Sequence, residues 1–422
     1  MMTPKLTLSE KLGMHSDLTI GYLGLLLFMV GDGVEAGYLS PLLSSMKFPA
    51  GRIALIFTLY GVTAAIASWL SGVLSELFGP RSVMWAGLGI WIVFEVPFLL
   101  LGIAHSNYWV IAVTYMLRGF GYPLFAFGFL VWITRITPQR FLGTAVGWFW
   151  CARTGGLPTL GSLLASFAVP HYGAYPTLWI SSVLVLIGGM IAMFGTRGAP
   201  GAEPTDFGEV NPLEVLLSGI SVAWKEPKVG LGGVVAAITT TSEFGFLVFL
   251  PIYYIHTVGF TLQQWLQILS IMFATNVVCN FLWGKIADRI GWRVTITFAG
   301  SCGCALTTLG LYYIPHHVGA NYLLVTIAGM VYGAALAGFV PIAAIMATLA
   351  PQSRGAAMSI MNLGSGTSIW LGPAIAGICL PLIGISGTIW TFASLYVLSA
   401  LISWTLTTPE SGQDQAIAST GH

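Results

Sequence analysis

The chain has 422 residues, of which 56% are hydrophobic and only 7% charged, and its formal net charge is +1. Soluble proteins carry about 25% charged residues, so this composition excludes an ordinary water-soluble domain. The near-zero net charge argues against nucleic-acid binding. The apolar residues form continuous runs of about 20 residues rather than alternating patterns, which predicts membrane-spanning helices and not a β-barrel.

The apolar runs predict an all-α integral membrane protein with twelve transmembrane helices in two pseudo-symmetric six-helix halves. By length and apolarity, we place the spans at 19–43, 53–75, 83–104, 108–133, 142–168, 175–195, 229–256, 262–283, 294–314, 322–349, 356–381 and 387–407. The halves cover residues 1–196 and 229–422. The polar stretch between them, 197–228, is predicted to be a linker with a short amphipathic helix at the membrane surface, formed by Leu213, Val215, Leu216, Ile220 and Trp224.

The basic residues predict the orientation of these spans. The membrane side that holds both termini and the linker carries 12 of the 16 lysines and arginines, whereas the opposite side carries only Lys47 and Arg52. The positive-inside rule therefore predicts cytoplasmic termini for a protein of the cell membrane. The other two bases, Arg118 and Arg153, fall inside spans.

The first span contains two carboxylates, Asp32 and Glu35, whose spacing of three places them on one helical face. A charge at membrane depth normally faces a cavity, a partner or a proton path. The alternative is a solvated pair near the outer end of the span. Glu95 and Glu243 also lie within spans, so the spans contain four acids but only two bases, Arg118 and Arg153. Burial favours the protonated form of a carboxylate that lacks a partner, which indicates proton binding.

A ten-residue pattern, G-x-x-x-D/E-x-x-G-x-R, occurs after the second span and again after the eighth, at a constant offset of 212 residues. Its defining residues are Gly72, Glu76, Gly79 and Arg81 in the first copy, and Gly284, Asp288, Gly291 and Arg293 in the second. A direct repeat predicts two halves of the same orientation, as in rocking transporters.

This repeated pattern resembles the signature loop of the major facilitator superfamily, and Leu117–Gly121 is similar to the arginine-bearing motif of that family's fourth helix. The segment GVEAGYLSPLL, 33–43, resembles the start of the bacterial polyol permeases that carry D-arabinitol and ribitol. The resemblance implies that the eight residues of the two loops form a cytoplasmic gate, in which the acids engage helix N-termini and the arginines pair with nearby acids. The first copy departs from the family's pattern by carrying Glu76 instead of an aspartate.

The resemblance also implies that spans one and four are neighbours, so we expect Arg118 to pair with Asp32 or Glu35. These three residues form the predicted proton-coupling group, and a fixed structural ion pair is the alternative. Helix three lies outside the central path in this superfamily. Glu95 is therefore expected to be either a structural acid or a secondary proton site.

The predicted substrate-binding residues are polar, charged or aromatic side chains of the spans that line the superfamily's central cavity. They are Asp32, Glu35, Arg118, Tyr122, Trp150, Arg153, Glu243, Asn276, Asn280, Asn362 and Ser365. For the amides and hydroxyls, hydrogen bonds between helices are the alternative role. For the aromatic residues, the alternative is a lipid-facing position.

These features predict a secondary active transporter that works by alternating access and takes up a sugar alcohol, such as D-arabinitol or ribitol, together with protons. A sugar-acid or keto-acid permease that uses Arg153, or a passive facilitator, are the alternatives. The chain has no phosphate-binding glycine loop and no nucleophile–base arrangement, so we expect the proton gradient as energy source, no cofactor or metal, and no enzyme activity. The expected partners are the solute, protons and the lipid bilayer, and the expected state is a monomer.

Overall fold

The computed structural model describes residues 14–204, 224–350 and 354–406, and all regular elements within these ranges are helices. The predicted amphipathic helix of the linker lies outside the described residues, apart from Trp224. The helices, in chain order, are α1 Ser16–Ser45, α2 Ala50–Phe78, α3 Pro80–Ile103, α4 Tyr108–Ile136, α5 139–172, α6 Ala174–Gly195, α7 Pro227–Val258, α8 Leu262–Ile290, α9 Trp292–Val318, α10 Tyr322–Leu349 and α11 Arg354–Thr405.

Ten of these helical segments are long and apolar enough to cross a membrane. Helix α5 is less apolar, but it is helical from Gln139 to Tyr172 and long enough to cross. Helix α11 contains 52 residues, about twice the length of one crossing, and its backbone leaves the helical conformation at Gly384 (φ 66°, ψ −172°). Glycine adopts this conformation without steric cost. The two limbs of α11 with α1–α10 make twelve crossings, which confirms the predicted fold.

Helices α1, α4 and α10 are each interrupted where the predicted spans were continuous, α10 between Leu336 and Ile342. In α1 the helix Thr19–Val34 ends at Glu35, and a turn leads to the short helix Leu39–Ser45. In α4 the helix Tyr108–Arg118 ends before Gly119, and helix resumes over Gly121–Ile136. Glu35 is the C-cap of the first helix and keeps helical dihedrals (φ −78°, ψ −25°), so the predicted placement of Asp32 and Glu35 on one helical face stays compatible with this interruption.

The first interruption lies where α1 crosses α5. A Cβ on Gly33 would stand 1.9 Å from the carbonyl oxygen of Leu157, so only a glycine permits this approach. Leu157 belongs to the π-helical segment Gly155–Gly161 of α5, which also contains Pro158. Proline cannot donate a backbone hydrogen bond, and local widening of the helix is one way to accommodate it.

The two copies of the repeated pattern have the same local structure. Gly79 and Gly291 both have positive φ, 79° and 97°, at the turns α2–α3 and α8–α9. Arg81 donates to the carbonyl of Met193 in the last turn of α6, at 3.1 Å. Arg293 donates to the carbonyl of Trp404 in the last turn of α11, at 3.4 Å. Each arginine thus lies at the negative end of the last helix of its half, where a cation is stabilised.

Candidate functional site

A cavity of about 880 Å³ lies at the centre of the molecule, between α1, α2, α4 and α5 on one side and α7, α8, α10 and α11 on the other. Its lining includes Asp32 and Glu35 at mid-membrane, and Gly72 and Glu76 near the end of α2. A Cβ on Gly72 would meet no atom within 4 Å. As far as the described residues extend, the cavity therefore opens on the membrane side that holds the first signature loop.

Direct contacts between the two sets of helices close the opposite side. The indole nitrogen of Trp265 on α8 donates to the carbonyl of Gly37 on α1, at 2.9 Å. Ser270 donates to the carbonyl of Thr159, at 2.9 Å, and Ser40 donates to the carbonyl of Val248. Gly37 and Ser40 lie beyond Glu35 along α1, away from Glu76. The two halves are thus in contact on one side of the charged residues and separated on the other.

The charged residues nearest this closed end form a compact group of two carboxylates and one guanidinium. Arg118 donates to both carboxylate oxygens of Glu35 and also to Glu95. We call Glu35, Glu95 and Arg118 the buried charge group, since their exposed fractions are 2%, 0% and 0%. This confirms the expected pairing of Arg118 with an acid of α1. The second acid, Glu95 on α3, is an additional partner that the sequence did not indicate.

Asp32 has a different partner. Its Oδ1 accepts a hydrogen bond of 2.7 Å from the indole nitrogen of Trp91, and it forms no ion pair within 4.0 Å among the described residues. The face of the same indole ring lies against Arg118, with the guanidinium carbon 4.8 Å from the ring centroid. Trp91 is fully buried. It therefore connects Asp32 to the buried charge group without contacting the cavity.

Ten of the eleven predicted substrate-binding residues line the cavity, and Arg118 is the exception. Its guanidinium lies behind Glu35 and is enclosed by aromatic rings, with Tyr115 at 4.6 Å and Phe98 at 5.3 Å from ring centroid to guanidinium carbon. The expectation of a direct contact between Arg118 and a bound solute is therefore wrong for this conformation. Arg118 can influence a solute through neighbours that do line the cavity, Glu35 and Tyr115.

Arg153 and Glu243 line the cavity from opposite halves. The guanidinium carbon of Arg153 lies 5.5 Å from the ring centroid of Trp150 and 6.0 Å from that of Tyr122. Within the part of the chain that the structure describes, neither Arg153 nor Glu243 forms an ion pair within 4.0 Å. Both side chains therefore remain available to a solute.

The amide and hydroxyl residues of the second half divide between the two roles considered for them. The Asn276 side chain is buried and donates to the carbonyl of Gly333 on α10 at 3.1 Å, which is a contact between helices. Asn280 donates to the Asn276 side-chain oxygen at 3.4 Å. Asn362 and Ser365 are exposed to the cavity. The latter two are therefore the better placed for contact with a solute.

Sequence reasoning missed three residues of the site: Trp91, Tyr60 and Tyr115. The last two line the cavity. One signal could have found Trp91, because it precedes Glu95 by four residues and so shares a helical face with an intramembrane acid.

The predicted gate residues lie at the ends of α2 and α8 and the turns that follow. Glu76 lines the mouth of the cavity, and Asp288 accepts a hydrogen bond of 2.9 Å from the indole of Trp292. The expected pairing of Arg81 and Arg293 with acids is absent among the described residues, since both donate to helix-end carbonyls. The gate function itself stays a prediction.

Twelve helical crossings around a charged cavity that is open on one side and closed on the other define a membrane transport protein. The family model of the Major Facilitator Superfamily matches residues 21–335 and 270–421. The chain belongs to the major facilitator superfamily, as the repeated pattern predicted.

Relatives of this chain are transporters, and so this protein is a transporter and not an enzyme. It is 41% identical to an alpha-ketoglutarate permease of Bacillus subtilis (strain 168), over 96% of this chain and 92% of the relative. It is 35% identical to a D-arabinitol transporter of Klebsiella pneumoniae, over 92% of both chains, and 35% identical to a ribitol transporter of the same organism, over 92% and 91%. Among solved structures, a D-xylose-proton symporter shares the fold, with a TM-score of 0.68 at 15% identity over 93% of this chain and 97% of that one.

Proposed function

We propose that this protein is a secondary transporter that takes up a neutral sugar alcohol, such as D-arabinitol or ribitol, together with protons. The observation that carries the proposal is the position of Asp32. This carboxylate lies at the closed end of the cavity, is only 5% exposed, and has an indole instead of a cation as its partner.

An excess of carboxylates at membrane depth supports proton coupling. The spans contain four carboxylates but only two guanidinium groups, those of Arg118 and Arg153. The carboxylates are those of Asp32, Glu35, Glu95 and Glu243. Transfer of an unpaired carboxylate from water into a poorly hydrated interior is costly, and protonation removes that cost. Asp32, Glu35 and Glu243 line the cavity, so protons from water on the open side can reach them.

The chemistry of the cavity favours a neutral, hydroxyl-rich solute. Carboxylates accept hydrogen bonds from hydroxyls, the amides of Asn280 and Asn362 both donate and accept, and Ser365 adds a hydroxyl. Aromatic rings of Tyr60, Tyr122 and Trp150 provide apolar surface for the carbon chain. A doubly charged anion would instead meet several acids and one guanidinium, that of Arg153, which pairs with no acid of the described residues. Two relatives bear the names of polyol transporters.

One observation favours a second candidate, an organic anion such as a keto acid. Arg153 faces the cavity and has no ion-pair partner among the residues that the structure describes. Guanidinium groups bind carboxylates by two parallel hydrogen bonds. The relative at 41% identity is named an alpha-ketoglutarate permease. In this candidate, Arg153 holds the carboxylate and the protons on the acids compensate the charge of the solute.

The two candidates differ in which labelled solute enters proteoliposomes that contain the purified protein. We expect uptake of D-arabinitol or ribitol that excess 2-oxoglutarate does not inhibit. An Arg153→Met variant should retain polyol uptake with a raised KM, because one hydrogen-bonding group is lost among several. Uptake of 2-oxoglutarate alone, abolished by the same substitution, would overturn the polyol proposal in favour of the second candidate.

The orientation and assembly belong to the same proposal. The excess of basic residues on one side supports cytoplasmic termini, and the cavity then opens toward the cytoplasm. A monomer is proposed because the whole cavity is built from helices of one chain.

A further inference from the structure

Glu95 is a buried carboxylate that the proposed transport route does not use. It lies on α3, is 0% exposed and is absent from the lining of the cavity. Its two side-chain partners are Arg118 and Ser182, the latter donating to Oε1 at 3.2 Å. No solute in the cavity can contact it in this conformation. Its effect on transport must therefore pass through Arg118.

Arg118 binds Glu95 and Glu35 with the same end of its side chain. Its Nη1 donates to both carboxylates, and its Nη2 donates to Glu35 only. Removal of one member of a buried ion pair is strongly unfavourable, because the other charge is left without compensation. If Glu35 alone balanced Arg118, protonation of Glu35 would leave a buried guanidinium without an anion. With Glu95 present, Arg118 keeps an anionic partner when Glu35 takes up a proton.

We propose that Glu95 is a positioning residue that retains Arg118 as a paired cation, so that Glu35, the member of the buried charge group that lines the cavity, can exchange its proton during transport. This inference rests on the proposed proton coupling. It assigns the two acids different tasks: Glu95 binds Arg118 out of reach of the cavity, whereas Glu35, which lines the cavity, exchanges protons with it.

In the part of the chain that the structure describes, no second cation forms an ion pair with the buried charge group. The ionisable groups that face it are Asp32 and Tyr38 on α1, Tyr60 on α2 and Tyr115 on α4, and α6 contributes the uncharged Ser182. Arg153 on α5 is close enough to act on Asp32 but forms no ion pair with it. Among the described residues, Glu95 is therefore the second anion that Arg118 binds.

The test is the pH dependence of proton-driven polyol uptake in proteoliposomes, for the wild type and for Glu95→Gln. In the variant Glu35 becomes the single counter-ion of Arg118, so loss of its charge would leave the buried guanidinium without an anion. We expect the pH of half-maximal uptake to move in the acidic direction by about one unit, a tenfold change in proton concentration. Glu95→Asp, which restores the charge, should return the midpoint toward the wild-type value.

A matched control is Ser181→Ala on the same helix as Ser182. Ser181 is buried and donates to the carbonyl of Gly31 at 2.7 Å, but it touches no member of the buried charge group. This variant should lose stability without a change in the pH midpoint. An unchanged midpoint in Glu95→Gln, with only lower yield or rate, would overturn the inference. If the wild type accumulated polyol to the same level with and without a pH gradient, the proposed proton coupling itself would be overturned.

Discussion

At the scale of single residues, Asp32 is the acid whose environment most clearly departs from that of an ordinary buried carboxylate. Its neighbour Glu35 has a guanidinium, whereas Asp32 has the indole N–H of Trp91 at 2.7 Å. One neutral hydrogen bond compensates a buried negative charge less well than an ion pair does. Asp32 is therefore well suited to carry a proton in one half of the transport cycle.

Substitution of Asp32 by Asn tests this role. The amide has nearly the same shape and its oxygen can still accept from Trp91, but it cannot exchange a proton. We expect exchange of labelled for unlabelled polyol at equal pH to persist, and accumulation driven by a pH gradient to fall at least tenfold. Both are measured as radiolabel uptake into proteoliposomes. Accumulation at the wild-type level would contradict a coupling role for Asp32.

The sequence predicted the intramembrane acids and bases because charges in apolar runs are few and conspicuous. It did not predict that Trp91 and Glu95 complete the group. The chain contains 15 tryptophans, and the sequence does not say which of them faces an acid on another helix. The resemblance also placed helix three away from the cavity, which is correct for Glu95 but conceals its contact with Arg118.

At the scale of helices, the interruptions of α1 and α4 determine where the charges lie. Glu35 directly follows the helix Thr19–Val34, and Arg118 is the last residue of the helix Tyr108–Arg118. Hydrophobicity over a span indicates its length but not its continuity, so the sequence predicted the spans and missed these interruptions. The glycines at 37, 119 and 121 are compatible with them, but 52 glycines occur in the chain. Glycine alone is therefore not a sufficient signal.

Replacement of Gly33 by Ala tests the close crossing of α1 and α5. The added Cβ would stand 1.9 Å from the carbonyl oxygen of Leu157, so the helices must separate. Overpacking of this kind costs about 1–3 kcal/mol, and we expect a lower melting temperature in detergent by scanning fluorimetry. Gly51→Ala is the control, because a Cβ at Gly51 would meet nothing within 4 Å. Equal melting temperatures for both variants would contradict the described crossing.

At the scale of the whole molecule, the twelve crossings followed from the lengths of the apolar runs, and the repeat followed from two signature loops. The open side of the cavity could not be predicted. Contacts such as Trp265 to Gly37 and Ser40 to Val248 hold one side closed in this conformation. Alternating access requires that the same sequence also adopt the opposite arrangement. A sequence that encodes both arrangements does not indicate which one a structure shows.

A disulfide between the halves tests whether they must move. The Cβ of Ala65 on α2 and a Cβ built on Gly366 of α11 are 3.7 Å apart, within the usual range of about 3.5–4.5 Å for a disulfide. We expect oxidation of the Ala65→Cys, Gly366→Cys double variant to abolish uptake and reductant to restore it. The single variants serve as controls for oxidation of the native cysteines. Wild-type uptake by the fully cross-linked protein would show that rocking of the halves is unnecessary.

The most direct test of proton-coupled polyol transport is the charge that moves when the solute enters. Proteoliposomes on a solid-supported membrane, at equal pH on both sides, are exposed to D-arabinitol or ribitol and the transient current is recorded. A neutral solute that enters with a proton carries positive charge inward, so the account predicts an inward current that Asp32→Asn abolishes. Radiolabelled polyol that enters without any current would contradict it.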